Sequence, residues 1–183
     1  MNEAINYENP IPTRATQSRI FQFAEQLREQ SNIKSGFDLP ALIKANNGEI
    51  SYIDFLDANQ TDAIVVEPDG SFKIFLSSHT GVLRDNFTIA HEIGHRVLHW
   101  PRVRKQHQGS GMRATRQVVE DQPDSKRCEM EANWFAAAFL MPRDQFQEAY
   151  SQGIDFASEK FGVTRSAIII REKSLNDRGE FSN

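Results

Sequence analysis

A chain of 183 residues, 39% hydrophobic and 25% charged, has ordinary globular composition; this excludes a disordered tail and makes one domain the default. A net charge of −4 leaves no basic surplus for non-specific nucleic-acid binding, although a local basic patch is allowed. The single cysteine, Cys128, forms no internal disulfide, the N-terminus lacks an apolar signal core, and the longest apolar run, Trp134 to Met141, falls far below the ~20 residues of a membrane span, so a cytoplasmic protein is expected.

Residues 1–13 hold two prolines and no periodicity, which predicts a flexible tail. From Arg14 to Gln30, Ile20, Phe21, Phe23, Ala24 and Leu27 recur at helical spacing. "FDLPALIKANNGE" reads as a short helix capped by Asp38, with Pro40 in its first turn and Gly48 past its end. "EISYIDF" is a strand, and "AIVVEPDGSFKIFLS" is two strands around a Pro-Asp-Gly turn. A helix over 86–99 stops at Pro101, and a polar stretch over about 101–123 follows. A second strong helix runs from Ser125 to Met141 and ends at Pro142. "RDQFQEAYSQG" is a helix closed by Gly153, and "DFASEKFGVTRSAIIIREKSL" is two short helices around Gly162. Helices segregated from a small antiparallel sheet of about three strands give an α+β fold. The expected organisation is a tail over 1–13, a main unit over 14–142 and a helix-turn-helix-like segment over 143–183 packed on it.

The first strong helix carries "HEIGHRVLH". His91 and His95 are four apart and share one helical face, a spacing that suits two zinc–imidazole bonds of ~2.0–2.1 Å. Glu92 is rotated ~100° from His91, so it is free to act on a metal-bound water as a base. His99 has drifted ~80° from His91 and reads as a histidine at the helix end, or as one that supports a ligand from behind, rather than as a third ligand. Gly94 costs the helix about 0.8–1.0 kcal/mol relative to alanine, and its use is close approach of another element.

In "KRCEMEANWFAAAFLMP", Glu129 lies in line with Ala132, Ala136 and Leu140. A carboxylate among alanines is costly to bury unless paired or metal-bound. Glu129 is therefore the favoured third ligand, and Glu131, expected on a solvated face, the runner-up. Asn133, one turn on, could hold a ligand histidine's free ring nitrogen.

"FTIAHEIGHRVLH" followed by "CEMEANWFAAAFLMP" resembles the ImmA/IrrE family of zinc metallopeptidases, which are gluzincins. The resemblance implies a minimal zincin-like fold, His91, His95 and Glu129 as zinc ligands, Glu92 as catalytic base, and endopeptidase action on a helix-turn-helix repressor of the Xre/Cro type. That action would control stress, mobile-element or toxin–antitoxin genes. Asn133 stands where many gluzincins have aspartate. The donor set also accepts manganese or iron. The alternative function is a DNA- or partner-binding regulatory module with a non-hydrolytic metal site, with direct nucleic-acid binding the less favoured form.

Other positions stay open. Tyr150, His79, His107 and Arg84 are candidates to stabilise an oxyanion, and Cys128 reads as a small buried hydrophobe in preference to a redox or zinc-inhibiting thiol. "FKIFLS" is either a core strand or a substrate-binding edge. The basic stretch over 101–119 is a solvated insertion, a mobile flap or, least favoured, a nucleic-acid contact.

Overall fold

The computed structural model describes residues 5–54, 61–116 and 122–179. The sheet is built around the hairpin read from sequence. β3 (Asp62–Val66) and β4 (Phe72–Ser77) pair antiparallel, Ile64 opposite Ile74 and Val66 opposite Phe72. Their turn closes where Glu67 N–H donates to Ser71 O and Gly70 N–H to Glu67 O; Gly70 supplies the positive φ of +89°. β2 (Gly48–Ile53) lies parallel to β4.

Among the described residues the sheet has five strands rather than three, in the order β1 (Tyr7–Glu8), β5 (Gly111–Thr115), β3, β4, β2, and is mixed rather than antiparallel. β5 (Gly111–Thr115) lies inside the stretch expected to be a loop and pairs antiparallel with β3. Only Met112 and Ala114 turn inward, too short an alternation to stand out among polar neighbours. β1 (Tyr7–Glu8) pairs parallel with β5, so the stretch expected as a tail carries a sheet strand. β4 is interior, flanked by β3 and β2, which rules out its reading as an edge that adds a substrate strand.

One face of the sheet, with Ile64, Val66, Phe72, Ile74, Leu76, Met112 and Ala114, packs into a single core with the helices. α1 (Gln17–Ser31) contributes Ile20, Phe21 and Ala24; α3 (Val82–Gly94) contributes Ile89, Ala90 and Ile93. Between them in sequence lies α2 (Leu39–Ala45). Asp38 does not cap α2 by its side chain. It belongs to a capping box with Ser35 over the preceding 3₁₀ turn, where its carboxylate accepts from Lys34 N–H and Ser35 N–H.

The histidine helix does not stop at Pro101. A π-helical turn over His95–His99 leads into α4 (Trp100–Gln106). Trp100 N–H donates to His95 O, five residues back. Proline lacks an N–H and its ring crowds the carbonyl four residues before it; the wider turn gives that carbonyl room, so the helix passes through.

α5 (Pro123–Leu140) is the central helix, with Ala132, Phe135, Ala136, Ala138, Phe139 and Leu140 all buried. A Cβ built on Gly94 would meet Ala132 Cα at 3.1 Å and Phe135 Cδ1 at 3.2 Å, so α3 and α5 touch backbone to side chain at this glycine. Gly94→Ala would gain about 0.8–1.0 kcal/mol of helix propensity, but overpacking costs about 1–3 kcal/mol. The nearest atom is backbone and yields little, so a net destabilisation of about 1–2 kcal/mol is expected in urea unfolding.

α6 (Arg143–Tyr150), α7 (Ile154–Phe161) and α8 (Arg165–Asn176) follow as read from sequence. Phe146 stacks on Tyr150 and Phe161, and Asn86 of α3 donates to Gly162 O between α7 and α8. Buried guanidiniums hold the carbonyl end of α5: Arg28 donates to Phe139 O and Leu140 O, and Arg171 to Met141 O. The architecture is α+β, helices around a small mixed sheet, consistent with a minimal zincin-like fold. Among the described residues no helix is long and apolar enough to cross a membrane.

Candidate metal centre

α3 and its π turn present His91 and His95, and α5 presents Glu129, to one point. His91 Nε2 lies 3.2 Å from Glu129 Oε2, and His95 Nε2 lies 3.2 Å from Glu129 Oε1. The two Nε2 atoms are 3.1 Å apart. One donor atom from each residue falls within 4.8 Å of the others, the only such trio of metal-ligating side chains found among the described residues. Bonds of ~2.0–2.1 Å at tetrahedral angles separate neighbouring ligand atoms by ~3.3 Å, so this spacing fits a small divalent cation such as zinc.

The electrostatics agree with that fit. Burial would raise the Glu129 carboxyl, but hydrogen bonds from His91 and His95 outweigh it and hold the group below the usual carboxylate range. Burial pushes His95 down to about 4, which leaves it neutral and able to offer a lone pair. The ring nitrogens turned away from the trio are held as well: His91 Nδ1 lies 3.0 Å from Asn133 Oδ1 and His95 Nδ1 lies 3.1 Å from His99 Nδ1. Asn133 thus occupies the position expected of it.

Glu92 is 3% exposed, and its Oε2 is buried with no hydrogen-bond partner among the described residues. Burial, set against the nearby His91, raises its carboxyl to about 7. It lines a cavity of about 200 Å³ together with Ala63, His91, His95, Arg116 and Glu129. A carboxyl titrating near neutrality beside convergent donors can take and return protons. A second, larger cleft of about 840 Å³ opens from His91 and Asn133 between α1, α3, α5 and α8, lined by Phe21, Phe87, Trp134 and Ile170.

Several expectations are corrected. Glu131 is not solvated: it is 0% exposed and accepts from Thr13 N–H and Oγ, Arg14 N–H, Arg127 Nε and His99 Nε2. Hydrogen bonds from these groups overcome burial and lower it to about 2. Nor is it a ligand, since it faces away from the trio onto His99. Of the two readings of His99, the helix end is excluded and the place behind a ligand histidine is the one it occupies, fully buried between His95 and Glu131. None of the four oxyanion candidates lines the cavity that holds Glu92. His79 pairs with Asp54, His107 lies 3.6 Å from Glu8, Tyr150 stacks on Phe146, and Arg84 lines the larger cleft. Arg116, the residue after β5, lines that cavity instead, with its guanidinium donating to Phe75 O and its backbone N–H to Thr61 O. No sequence signal singled Arg116 out, because the alternation in "GMRAT" just before it is too short to mark a strand. The basic stretch is not a flap over residues 101–116: it forms α4 and β5, and residues 117–119 lie outside the described ones.

Cys128 is buried, and burial with the nearby Glu131 and Glu129 raises its thiol to about 12. The folded protein should show no thiol reaction with a disulfide reagent at pH 8, and one equivalent after unfolding. A fast reaction in the native state would contradict this packing.

Comparison with known proteins places the chain. The model of the Peptidase M78 family, described as an IrrE N-terminal-like domain, matches residues 53–173. No curated protein matches it significantly. A solved structure titled "Mycobacterium tuberculosis transcriptional regulator" is similar in fold, with a TM-score of 0.60 and 21% identity over 86% of this chain. The similarity spans 56% of that protein's length. With the family model covering well over half its length, the chain belongs to the Peptidase M78 family, the ImmA/IrrE family of metallopeptidases.

Proposed function

We propose that this protein is a cytoplasmic zinc-dependent endopeptidase that cleaves a specific protein. His91, His95 and Glu129 would hold the ion and Glu92 would be the catalytic base. The observation that carries this reading is the buried, unpartnered Glu92 oxygen in the same small cavity as the three donors. A zinc ion held there would supply Lewis acidity to a water and to the peptide carbonyl. Glu92 takes the proton from the attacking water and returns it to the leaving nitrogen. Arg116, on the cavity wall, supplies positive charge where the carbonyl oxygen turns negative. The apolar cleft beside His91 accommodates bulky side chains of the substrate.

The family likeness supplies the candidate substrate, an Xre/Cro-type helix-turn-helix repressor whose cleavage would release stress, mobile-element or toxin–antitoxin genes. Direct duplex binding by α7–α8 is not favoured, because the outward positions of α8 include Ile169 and Ile170, the latter 68% exposed, where phosphates call for cations. The test is incubation of the zinc-loaded protein with a repressor encoded beside it, with products and metal content read by mass spectrometry. One chelator-sensitive cut with one metal per chain is expected. An intact repressor with the metal fully bound would overturn the reading.

A further inference from the structure

Each candidate ligand histidine has its second nitrogen held by a different device. His91 uses an amide directly, Nδ1 to Asn133 Oδ1 at 3.0 Å. His95 uses another imidazole: its Nδ1 lies 3.1 Å from His99 Nδ1, and His99 Nε2 lies 3.2 Å from Glu131 Oε2. The proton placement in this chain has one solution if His95 binds a metal. Its Nε2 must offer a lone pair, so Nδ1 carries the proton and donates. His99 Nδ1 must then accept, which puts its own proton on Nε2, aimed at the Glu131 carboxylate. Glu131 cannot swing away, because Thr13 N–H and Oγ and Arg14 N–H donate to it from one side and Arg127 from another. The chain is dry: His99 and Glu131 are both 0% exposed.

We propose that His99 and Glu131 are positioning residues for the metal, a directed hydrogen-bond chain that fixes the tautomer and ring angle of His95, with the backbone at Thr13 and Arg14 anchoring its far end. This rests on the metal-site reading and extends it: the segment ahead of α1 becomes part of the support of the centre. A partner that locks a ligand imidazole in this way changes metal affinity about 10–100-fold.

The test compares two near-isosteric replacements. In His99→Gln the side-chain carbonyl can accept from His95 Nδ1–H and the amide can donate to Glu131; His99→Leu fills similar volume and does neither. Zinc affinity is measured on the purified full chain by competition with a chromophoric chelator. His99→Leu should lose about 10–100-fold and His99→Gln should recover to within a few-fold of the parent. Equal affinities in all three proteins, or equal losses in both variants, overturn the chain. A parent that binds no zinc overturns the metal site itself, and the relay with it. Should His99→Leu fail to fold, nitrogen-15 NMR of the zinc-loaded parent decides: His95 protonated on Nδ1 and His99 on Nε2 supports the proposal, and any other pair of tautomers overturns it.

Discussion

Glu92→Gln should lower kcat/KM by about 10²–10⁴-fold while leaving bound zinc at one per chain. The replacement keeps the shape of the side chain and touches none of His91, His95 and Glu129, so only the proton carrier is removed. The same change should stabilise the metal-free protein. Glu92 titrates at about 7 in the fold against an ordinary value of 4.5. Between those values the unfolded chain has already released its proton while the folded one retains it, so stability falls as pH rises from about 4.5 to about 7. Gln carries no such proton, and the metal-free variant should gain on the order of 2–3 kcal/mol at neutral pH. Chelated samples of both proteins, unfolded in urea at pH 5 and pH 8, would show the gap opening with pH. Loss of activity joined to gain of stability is expected of a buried base and not of a structural glutamate. A variant that retains metal, cleavage and all biological effect would rule out peptidase action through Glu92.

Glu131→Gln should destabilise the fold by about 3–5 kcal/mol, the cost of removing one member of a buried ionic network. Its carboxylate accepts from two backbone N–H groups, a hydroxyl, a guanidinium and an imidazole. A glutamine amide would turn its own N–H groups toward some of these donors. The pH dependence runs opposite to that of Glu92. Glu131 is depressed in the fold to about 2 from an ordinary 4.5, so its stabilisation is fully present above about 4.5 and is lost as pH falls toward about 2. Urea midpoints of parent and variant should therefore converge on acidification through this window. A loss under 1 kcal/mol at pH 7, or a constant gap down to pH 2, would contradict the network.

These two glutamates also mark what could and could not be seen in the sequence. Glu92 was legible because its constraint is local: the spacing of His91 and His95 and the helical turn angle define where it sits. Glu129 was legible because a carboxylate in an alanine row needs a reason. Glu131 was misread by the same angular argument, which assumes that a helix has a wet side. α5 is covered on several sides, by α1, α3 and the N-terminal segment, and the partners of Glu131 at Thr13 and Arg14 lie more than a hundred residues away. Strands β1 and β5 escaped notice because two and five residues, with Met112 and Ala114 as the inward pair, do not make a periodic signal. Pro101 misled for a different reason: a stop signal assumes α geometry, and the chain left it one turn earlier.

The π turn has one more consequence. Residues on either side of it obey different rotational phases. Those up to His95 are set by the metal donors and the base; Trp100 and Val103 are set by the core they fill. A π turn holds one residue more than an α turn over the same advance, which is how both sets keep their directions in one continuous helix. Losing one residue between His95 and Trp100 would close the turn to α geometry and press the ring of Pro101 against the carbonyl four residues before it. A homologous chain one residue shorter there would therefore need a residue other than proline after the tryptophan.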